Sequence, residues 1–362
     1  MKKDIILWGI GEDGQRLLQT WYWLVTKEYN IIGLVDSNPS LWGKTFMGFT
    51  ISYPDIKKLH CATILITSKK YTDEIRHILI NNFFIERNNI LLWKNVEDML
   101  VRELGYIYRN TIDSEIKQVL NNYNDNGFNI YGTFYGNKAL KPIQRDEDGW
   151  PYTDFEDKKM YFPKNYKFIQ KNGKEWVRNL LYEQGDGSPH LYLRNEEEIP
   201  NGAVIVDAGT CEGNFALRFI ERARKIYLIE SDPVWMTALK KTFEPYSKKV
   251  IFCNKFLSRF ESSETVTLDG LVKEKIDFLK MDIEGEEINA LLGGRYLLRE
   301  SDVHCSICSY HRNHDDENIQ FILNALGYQT STSQGYMFFV YDPYIASTMD
   351  FRRGIVYATK NE

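Results

Sequence analysis

Short apolar runs alternate with amphipathic segments along most of the chain. Near the middle, apolar runs at 203–206 and 226–229 predict buried parallel strands, and the amphipathic segment 215–223 between them predicts a helix. The same order of strand, helix and strand recurs near the N-terminus, over 5–8, 15–27 and 31–35. This alternation is typical of α/β proteins. The sequence therefore predicts two Rossmann-like domains.

The C-terminal part carries further apolar runs. They predict strands at 250–254, 276–281, 303–309, 328–332, 336–340 and 354–359. We expect the last two strands to end the sheet as an antiparallel pair. Amphipathic segments predict helices at 173–184 and 287–298.

The chain of 362 residues is long enough for two domains, at roughly 150 residues each. We assign 1–95 to a Rossmann-like N-terminal domain and 173–362 to a second α/β domain. Between them, 96–172 is predicted to form a helical linker and then a β-ribbon, where aromatic and polar residues alternate over 146–165.

A glycine turn follows the strand at 203–206. Asp207 stands where this strand ends, Gly209 and Gly213 follow, and Glu230 ends the next strand. Such a turn lets the backbone approach a nucleotide closely, and Glu230 can accept both ribose hydroxyls of a nucleoside. Asp207 and Glu212 beside the turn favour cationic groups and disfavour a pyrophosphate. The pattern therefore favours a ligand such as S-adenosylmethionine, although a purely structural turn is also compatible with it.

Other loop residues are weaker candidates. The loop after 250–254 is where an adenine ring would be held, and Asn254 and Ser258 are its polar candidates. Ser188 and His190 precede the core strand. A histidine in that place can contact a ligand but is more often a packing residue of the turn.

The N-terminal glycine turn has the spacing of a dinucleotide site. Gly9, Gly11 and Gly14 match G-x-G-x-x-G after a predicted strand, and Asp36 ends the second strand. Three interpretations stay open: a nucleotide-sugar site, an NAD site, or a fold kept for docking or dimerisation without a nucleotide.

A second set of acidic residues follows the strand at 276–281. Asp282 ends that strand, Glu284 lies on the turn after it, and His311 ends the strand at 303–309. Carboxylates and a histidine at adjacent strand ends can handle the proton of a substrate hydroxyl. We expect His311 or Asp282 to accept the proton and Glu284 to orient the acceptor or a divalent cation such as Mg²⁺. Glu286 and Glu287 are explained by helix capping.

Composition narrows the classes of partner. Lys and Arg total 45 against 50 Asp and Glu, a net charge of −5, so we expect no nucleic-acid partner. The 5 Cys are scattered, and Cys305 and Cys308 are predicted to be buried strand thiols rather than half of a zinc site. We find neither a signal peptide nor a membrane span, and predict a cytoplasmic protein.

Four passages of the C-terminal half resemble the FkbM-type methyltransferases. They are VIVDAGTCEGNFALRFI, YLIESDP, VTLDGL and IDFLKMDIEGEEINALLGG, within 182–360. The resemblance implies a seven-stranded class I methyltransferase sheet with an antiparallel last strand. It also implies S-adenosylmethionine bound by Asp207, Gly209 and Gly213, with Glu230 on the ribose. The first turn departs from the family at Thr210 to Glu212, which alters the contacts to the methionine part of the cofactor.

The N-terminal segment is similar to the nucleotide-sugar-binding domain that precedes sugar N-acetyltransferases, in the passages GLVDSNP and GKTFMGFTI. Together the two resemblances imply an O-methyltransferase acting on a hydroxyl of a sugar, a polysaccharide component or a secondary metabolite. The alternatives are a non-catalytic nucleotide- or nucleotide-sugar-binding protein and an NAD-dependent sugar oxidoreductase. A small-molecule or saccharide acceptor is the expected partner, and homo-oligomerisation is left open.

Overall fold

The computed structural model describes residues 2–134, 142–166 and 183–360. The chain forms two compact units. The first contains Met1–Asn129 and Val340–Met349, and the second contains Ile130–Phe339 and Asp350–Glu362. This division does not follow the predicted domain limits at 95 and 172, because the helices of the predicted linker pack with the first unit.

The first unit is a mostly parallel six-stranded sheet. Its strands are β1 (Lys3–Trp8), β2 (Tyr29–Val35), β3 (Thr45–Phe46), β4 (Phe49–Ser52), β5 (Thr63–Ile66) and β6 (Ile90–Leu91), in the order β3-β4-β2-β1-β5-β6. Its helices are α1 (Glu12–Glu28), α2 (Ile56–Leu59), α3 (Thr72–Asn81), α4 (Trp93–Ile107) and α5 (Ser114–Asn126), with a short helix at Ile345–Thr348. The predicted Rossmann-like fold is confirmed here.

The second unit is built on a seven-stranded sheet. Its strands are β10 (Val204–Ala208), β11 (Lys225–Ile229), β12 (Val250–Cys253), β15 (Phe278–Met281), β16 (His304–Cys308), β17 (Gln329–Thr332) and β18 (Ile355–Thr359). Their order is β12-β11-β10-β15-β16-β18-β17. Strand β18 runs antiparallel to both neighbours, and the pairs from β12 to β16 are parallel. The predicted seven-stranded sheet with an antiparallel last strand is therefore confirmed.

The remaining elements of this unit are short. Strands β7 (Gln144–Arg145), β8 (Pro151–Phe155) and β9 (Lys158–Tyr161) form the predicted ribbon, and β13 (Phe256–Leu257) pairs with β14 (Thr265–Val266). The helices are α6 (Asn214–Phe219), α7 (Pro233–Thr242), α8 (Leu268–Leu271), α9 (Glu287–Leu292), α10 (Arg295–Glu300) and α11 (Asp315–Ala325). The predicted helix at 173–184 lies largely outside the described residues.

Two predicted elements were wrong. The helix predicted at 287–298 is divided into α9 and α10 at Gly293 and Gly294, which lie against Ser258 O and the side chain of Leu268. No strand forms at 336–340, where the described backbone makes one isolated bridge, between Met337 and Arg352. The antiparallel pair at the end of the sheet is β17 with β18 instead.

Apolar side chains cover both faces of the second sheet. One face packs Ile205 and Phe278 against helix α6, and the other packs Val206 and Leu279 against Leu291 and its neighbours. A strand buried on both faces needs a continuous apolar run, which is what the sequence of β10 contains. The charged side chains Asp207 and Lys280 lie near the carboxyl ends of β10 and β15, and these two strands finish beside β11.

The closest backbone approach at these strand ends is at Gly209. Its φ is +71°, and a Cβ built on it would lie 1.6 Å from the carbonyl oxygen of Asp282. Its N–H also donates to Ile229 O at 2.9 Å. A side chain at this position cannot be accommodated without moving β10 away from the turn that follows β15, so glycine is required here.

We expect Gly209→Ala to lower the free energy of unfolding of the second unit by more than about 3 kcal/mol, because alanine adds backbone overlap to left-handed strain. Gly149→Ala is the matched control, since Gly149 has a φ of +79° and no atom within 4 Å of its built Cβ. It should cost only about 1 kcal/mol. Urea denaturation followed by circular dichroism compares the two, and equal losses would contradict the close approach.

Candidate active site

A cleft of about 530 Å³ opens at the carboxyl ends of β10, β11 and β15, within the range common for ligand sites. Ligands of open α/β sheets bind outside these strand ends. The cleft is lined by the turn residues 209–212, by 229–232, by 255–257 and by 282–284, with Glu183, Tyr192, Asn214, Trp235, Lys280 and Glu286 completing it.

The glycine turn between β10 and α6 forms one wall. Gly209 and Gly213 both have positive φ, at +71° and +79°, and Cys211 between them has a φ of +47°. The turn is closed by hydrogen bonds from Gly213 N to Thr210 O at 2.8 Å and from Thr210 Oγ1 to Asp207 O at 2.8 Å. Gly213 itself lies against Leu239 and does not line the cleft.

Asp207 does not reach the cleft. Its side chain is buried, and its Oδ1 lies 3.1 Å from Nζ of Lys280, which is also buried. Lys280 Nζ further donates to Gly209 O at 2.6 Å. Burial lowers the pKa of Lys280, but Asp207 and Asp282 raise it, and the net shift is upward. Asp207 therefore holds a buried ammonium beneath the turn, rather than facing a ligand.

Glu230 does line the cleft. One carboxylate oxygen accepts from Cys211 N at 2.9 Å and the other from Asp232 N at 2.8 Å. Each carboxylate oxygen has a second lone pair, so these bonds orient Glu230 and leave it able to accept ligand hydroxyls. Asp232 also caps helix α7, which starts at Pro233.

Asn254 and Ser258 lie outside the lining of the cleft. The Asn254 amide donates to Glu230 O at 2.7 Å and to Ser231 O at 3.0 Å, so it supports the backbone that carries Glu230. The lining on this side is Phe256 and Leu257 instead. In the sequence, these two apolar residues stand between the polar candidates Asn254 and Ser258.

Asp282 is held at the opposite wall by four side chains. Tyr192 Oη donates to Oδ2 at 2.7 Å and Tyr310 Oη donates to Oδ1 at 3.2 Å. Nε2 of His190 lies 3.5 Å from Oδ2, and Nε2 of His311 lies 3.3 Å from Oδ1. Burial raises the pKa of Asp282, but the two histidines lower it more, so that the pKa falls well below its usual range.

His311 is buried between carboxylates. Its Nδ1 lies 3.1 Å from Glu287 Oε1, and its Nε2 faces Asp282 and, at 3.7 Å, Glu284 Oε2. Burial lowers the pKa of His311, but the surrounding carboxylates, Glu287 first, raise it to about 9. His311 is therefore protonated at neutral pH and lies behind the lining of the cleft.

Glu284 lies at the opening of the cleft, on the same wall as Asp282. Its backbone φ is +59°, and its side chain is 86% exposed. Glu287 has a different place: its side chain is buried and its Oε1 accepts from Ile283 N at 2.9 Å. The prediction that Glu287 only caps a helix missed its contact with His311.

Three residues of this site, Lys280, Tyr192 and Tyr310, were absent from the predicted set, and His190 was named only as a weaker loop candidate. Lys280, Tyr192, His190 and Tyr310 surround the acidic residues that the sequence singled out. Lys280 and Tyr310 are within two residues of Asp282 and His311, which was a usable signal. Tyr192 and His190 come from a loop distant in sequence, and the fold alone brings them to Asp282.

The cation expected here has a poor ligand set for magnesium. Among the described residues, two groups hold possible ligand atoms within 4.8 Å of one another: His190, Asp282 and Cys308, and Asp282, Glu287 and His311. Each contains a nitrogen or sulfur ligand, whereas Mg²⁺ prefers oxygen. Nothing in these contacts supports a magnesium site.

The glycine turn of the first unit is closely packed. A Cβ on Gly14 would lie 2.2 Å from Gly9 O. The Asp36 carboxylate accepts from Ile10 N at 2.6 Å and from Asn38 N at 2.7 Å. Two acids, Glu12 and Asp13, lie in the first turn of α1. Their negative charge would repel a phosphate bound at this helix N-terminus.

Two family models match the sequence. The model described as C2185-like, N-terminal matches residues 1–91, and the methyltransferase FkbM domain matches residues 239–338. The second match contains Asp282, Glu284 and His311, and begins after the glycine turn. No curated protein matches the chain.

Several solved structures resemble this chain at low identity. A methyltransferase FkbM from Methylobacillus flagellatus KT is 15% identical over 98% of this chain and 90% of its own, with a TM-score of 0.45. TYW2 of M. jannaschii, solved with AdoMet, is 12% identical over 61% and 92%, with a TM-score of 0.34. An rRNA methylase from Streptococcus thermophilus is 13% identical over 46% and 91%, with a TM-score of 0.33.

None of the helices described is both long enough and apolar enough to span a membrane.

The assignment to a class of enzyme rests on the two family models, which match successive parts of this sequence. Residues 1–91 therefore match a C2185-like N-terminal domain and residues 239–338 match an FkbM methyltransferase domain, and the chain is a methyltransferase.

Proposed function

We propose that the second unit transfers a methyl group from S-adenosylmethionine to a hydroxyl of a sugar, a polysaccharide component or a secondary metabolite. One observation carries this proposal: the glycine turn with Glu230 and the acidic wall at Asp282 and Glu284 line the same cleft of about 530 Å³. Such a cleft can hold a nucleoside at one end and an acceptor at the other.

The cofactor end is formed by Gly209 and Glu230. Gly209 allows the backbone to approach a ligand closely, and Glu230 presents an oriented carboxylate to the ribose hydroxyls. Phe256 and Leu257 supply an apolar surface against an adenine ring. Asp207, Gly213 and Asn254 act through the shape of this wall and not by direct contact.

Methyl transfer from a sulfonium is an in-line displacement that removes the positive charge from sulfur. The protein must align the acceptor hydroxyl with the methyl group and remove its proton. The contacts of Asp282 and His311 support a different division of roles from the one first expected. Each oxygen of Asp282 already faces two donor groups, and His311 is protonated at neutral pH.

Glu284 is the better candidate for the proton acceptor. It lines the cleft, is exposed, and lies 3.7 Å from the charged His311, which can hold its carboxylate in place. We therefore assign the proton to Glu284 and the positioning of that wall to Asp282 and His311. A general base of this kind typically contributes about 10²- to 10⁴-fold to a rate.

The alternative functions make different predictions for ligand binding. A thermal-shift panel of S-adenosylhomocysteine, NAD and UDP-sugars on the full chain separates them, because a ligand that binds only the folded state raises its melting temperature. Stabilisation by S-adenosylhomocysteine supports the proposal. Stabilisation by NAD alone would favour an oxidoreductase, and by a UDP-sugar alone a nucleotide-sugar-binding protein.

For the cofactor, we expect Glu230→Ala to weaken S-adenosylhomocysteine binding by about tenfold or more, because it removes the acceptor for the ribose hydroxyls. Isothermal titration calorimetry measures the affinity. Glu317→Ala is the control, since Glu317 is an exposed acid that does not line the cleft, and its effect should be smaller than about twofold. An effect of Glu230→Ala no larger than that of Glu317→Ala would contradict the assignment.

For the chemistry, we expect Glu284→Gln to lower kcat by about 100-fold, with the affinity for S-adenosylhomocysteine unchanged. The assay is transfer of labelled methyl groups to a panel of sugars and hydroxylated metabolites. Glu317→Gln, an exposed acid on α11, should behave as wild type.

The pH profile distinguishes the two candidate bases. Burial, and after it the neighbouring carboxylates, raise the pKa of Glu284 above its ordinary value. With Glu284 as the base, kcat/KM therefore rises in the acidic range and is level across the range in which His311 titrates. If His311 were the base, kcat/KM would rise about tenfold per pH unit toward the His311 pKa of about 9. Such a rise, lost in His311→Gln, would transfer the role to His311.

A further inference from the structure

A second cavity, which we call the side cavity, lies beside the cleft and has a volume of about 270 Å³. It is lined by the end of β8, by parts of the loop 184–196 and by the first residues of helix α6. Tyr192 and Asn214 line both the side cavity and the cleft. The two cavities therefore adjoin at these two side chains.

Tyr192 forms a fixed wall between the two cavities. Its Oη donates to Asp282 Oδ2 at 2.7 Å, and its backbone N–H donates to Gln184 Oε1 at 3.0 Å. Its carbonyl oxygen accepts from Ser306 Oγ at 2.6 Å. Because Asp282 belongs to the acidic wall, the side cavity lies next to the acceptor end of the cleft.

Asn214 supplies a hydrogen-bond donor where the cavities meet. Its Oδ1 accepts from Phe215 N at 2.8 Å, whereas its Nδ2 has no hydrogen-bond partner among the residues that the structure describes. A side-chain amide nitrogen carries two N–H donors. Asn214 can therefore donate to a ligand that extends from the cleft into the side cavity.

The arginines of the side cavity are already paired with carboxylates. Arg218 Nε lies 3.4 Å from Glu156 Oε1, and Arg218 Nη2 donates to Glu196 Oε1 at 2.9 Å. Arg194 Nε donates to Glu198 Oε1 at 3.1 Å. Among the described residues that line this cavity, no cation is therefore left unpaired to attract a phosphate or a carboxylate.

Asp186 and three aromatic rings complete the lining. The Asp186 side chain is exposed and forms no hydrogen bond or ion pair with the described part of the chain. An ionised carboxylate only accepts hydrogen bonds, so it selects a donor such as a hydroxyl. The rings are those of Phe155, Phe215 and Phe219, and they supply apolar surface. A few polar groups beside apolar rings are typical of a small-molecule site.

We propose that the side cavity binds a second sugar ring of the acceptor, next to the ring whose hydroxyl is methylated in the cleft. This proposal rests on the proposed function and narrows its substrate class to an oligosaccharide or polysaccharide. A sugar ring has an apolar carbon face, which fits the phenylalanines, and hydroxyls that can donate to Asp186 and accept from Asn214. An acceptor with a single ring fills the cleft alone and leaves these contacts unmade.

The position of the side cavity gives it a role in orienting the acceptor. Tyr192 joins it to Asp282, so a ring bound there is held at a fixed place relative to the acidic wall. A second point of attachment limits how the reacting ring can rotate in the cleft. Such a restriction favours transfer to one hydroxyl among several similar ones.

The first test measures transfer of labelled methyl groups by the full-length protein to sugar fragments of different length. The acceptors are partial hydrolysates of a panel of bacterial polysaccharides, separated by size into single sugars, disaccharides and longer fragments. We expect disaccharides and longer fragments to be labelled about tenfold faster than single sugars, or more, at limiting acceptor concentration. Equal rates for single sugars and longer fragments would overturn the proposal.

The second test changes Asp186, which lines the side cavity but not the cleft. We expect Asp186→Ala to raise the apparent KM for the disaccharide fraction about tenfold, because it removes a hydrogen bond to a charged group. Asp186→Trp should raise it further by filling the cavity. The affinity for S-adenosylhomocysteine, measured by isothermal titration calorimetry, should stay that of the wild type, which also shows that both variants fold.

The matched controls are Glu317→Ala and Glu317→Trp, since Glu317 is an exposed acid that lines neither cavity, and both should keep the wild-type KM. A wild-type KM in both Asp186 variants would overturn the side cavity as a sugar subsite and leave the methyltransferase proposal intact. Labelling of no fragment, although S-adenosylhomocysteine binds, would also overturn it. Absence of S-adenosylhomocysteine binding would instead contradict the proposed function, on which this inference rests.

Discussion

A buried ammonium group links two neighbouring strands of the methyltransferase unit at the edge of the sheet where the cleft opens. Lys280, on β15, reaches under the neighbouring strand β10 to the Asp207 carboxylate and to the carbonyls of Ala208 and Gly209. A buried charge is tolerated when it is paired and hydrogen-bonded, and here the pairing crosses between two adjacent strands. It fixes the glycine turn against the strand end that carries Asp282, so the two walls of the cleft are set by one contact.

The acidic wall likewise depends on the pairing of buried charged groups. Asp282 remains ionised although it is mostly buried, because two tyrosine hydroxyls and two histidines face it. His311 in turn keeps its proton because Glu287 and Asp282 stand on either side of the ring. Removing one member of such a network leaves an uncompensated buried group, so these residues act as a unit. Glu284 is exposed at the edge of this network, 3.7 Å from His311 Nε2, and lines the cleft in which the acceptor is proposed to bind.

The two glycine turns of this chain show why spacing alone is a weak guide to chemistry. The turn at Gly9 has the spacing of a dinucleotide site, yet Gly14 packs against Gly9 O and two acids stand in the first turn of α1. The turn at Gly209 departs from that spacing, yet it opens onto a large cleft with Glu230 oriented beside it. The surroundings of a turn, and not its glycines, decide what it can bind.

The sequence by itself determined most of the strands and the strand ends at which Asp207, Glu230, Asp282 and His311 stand, because these follow from local apolar periodicity. The order of the strands in each sheet came from the tertiary structure. The sequence also did not determine which of those groups face the ligand. Asp207 and His311 turned inward to pair with Lys280 and Glu287, whereas Glu230 and Glu284 line the cleft. Only the tertiary structure decided this, because the partners come from other strands and from the loop at His190 and Tyr192. A charged side chain is buried only where oppositely charged or hydrogen-bonding groups surround it. Those groups are distant in sequence, so the residues next to the charge do not reveal its orientation.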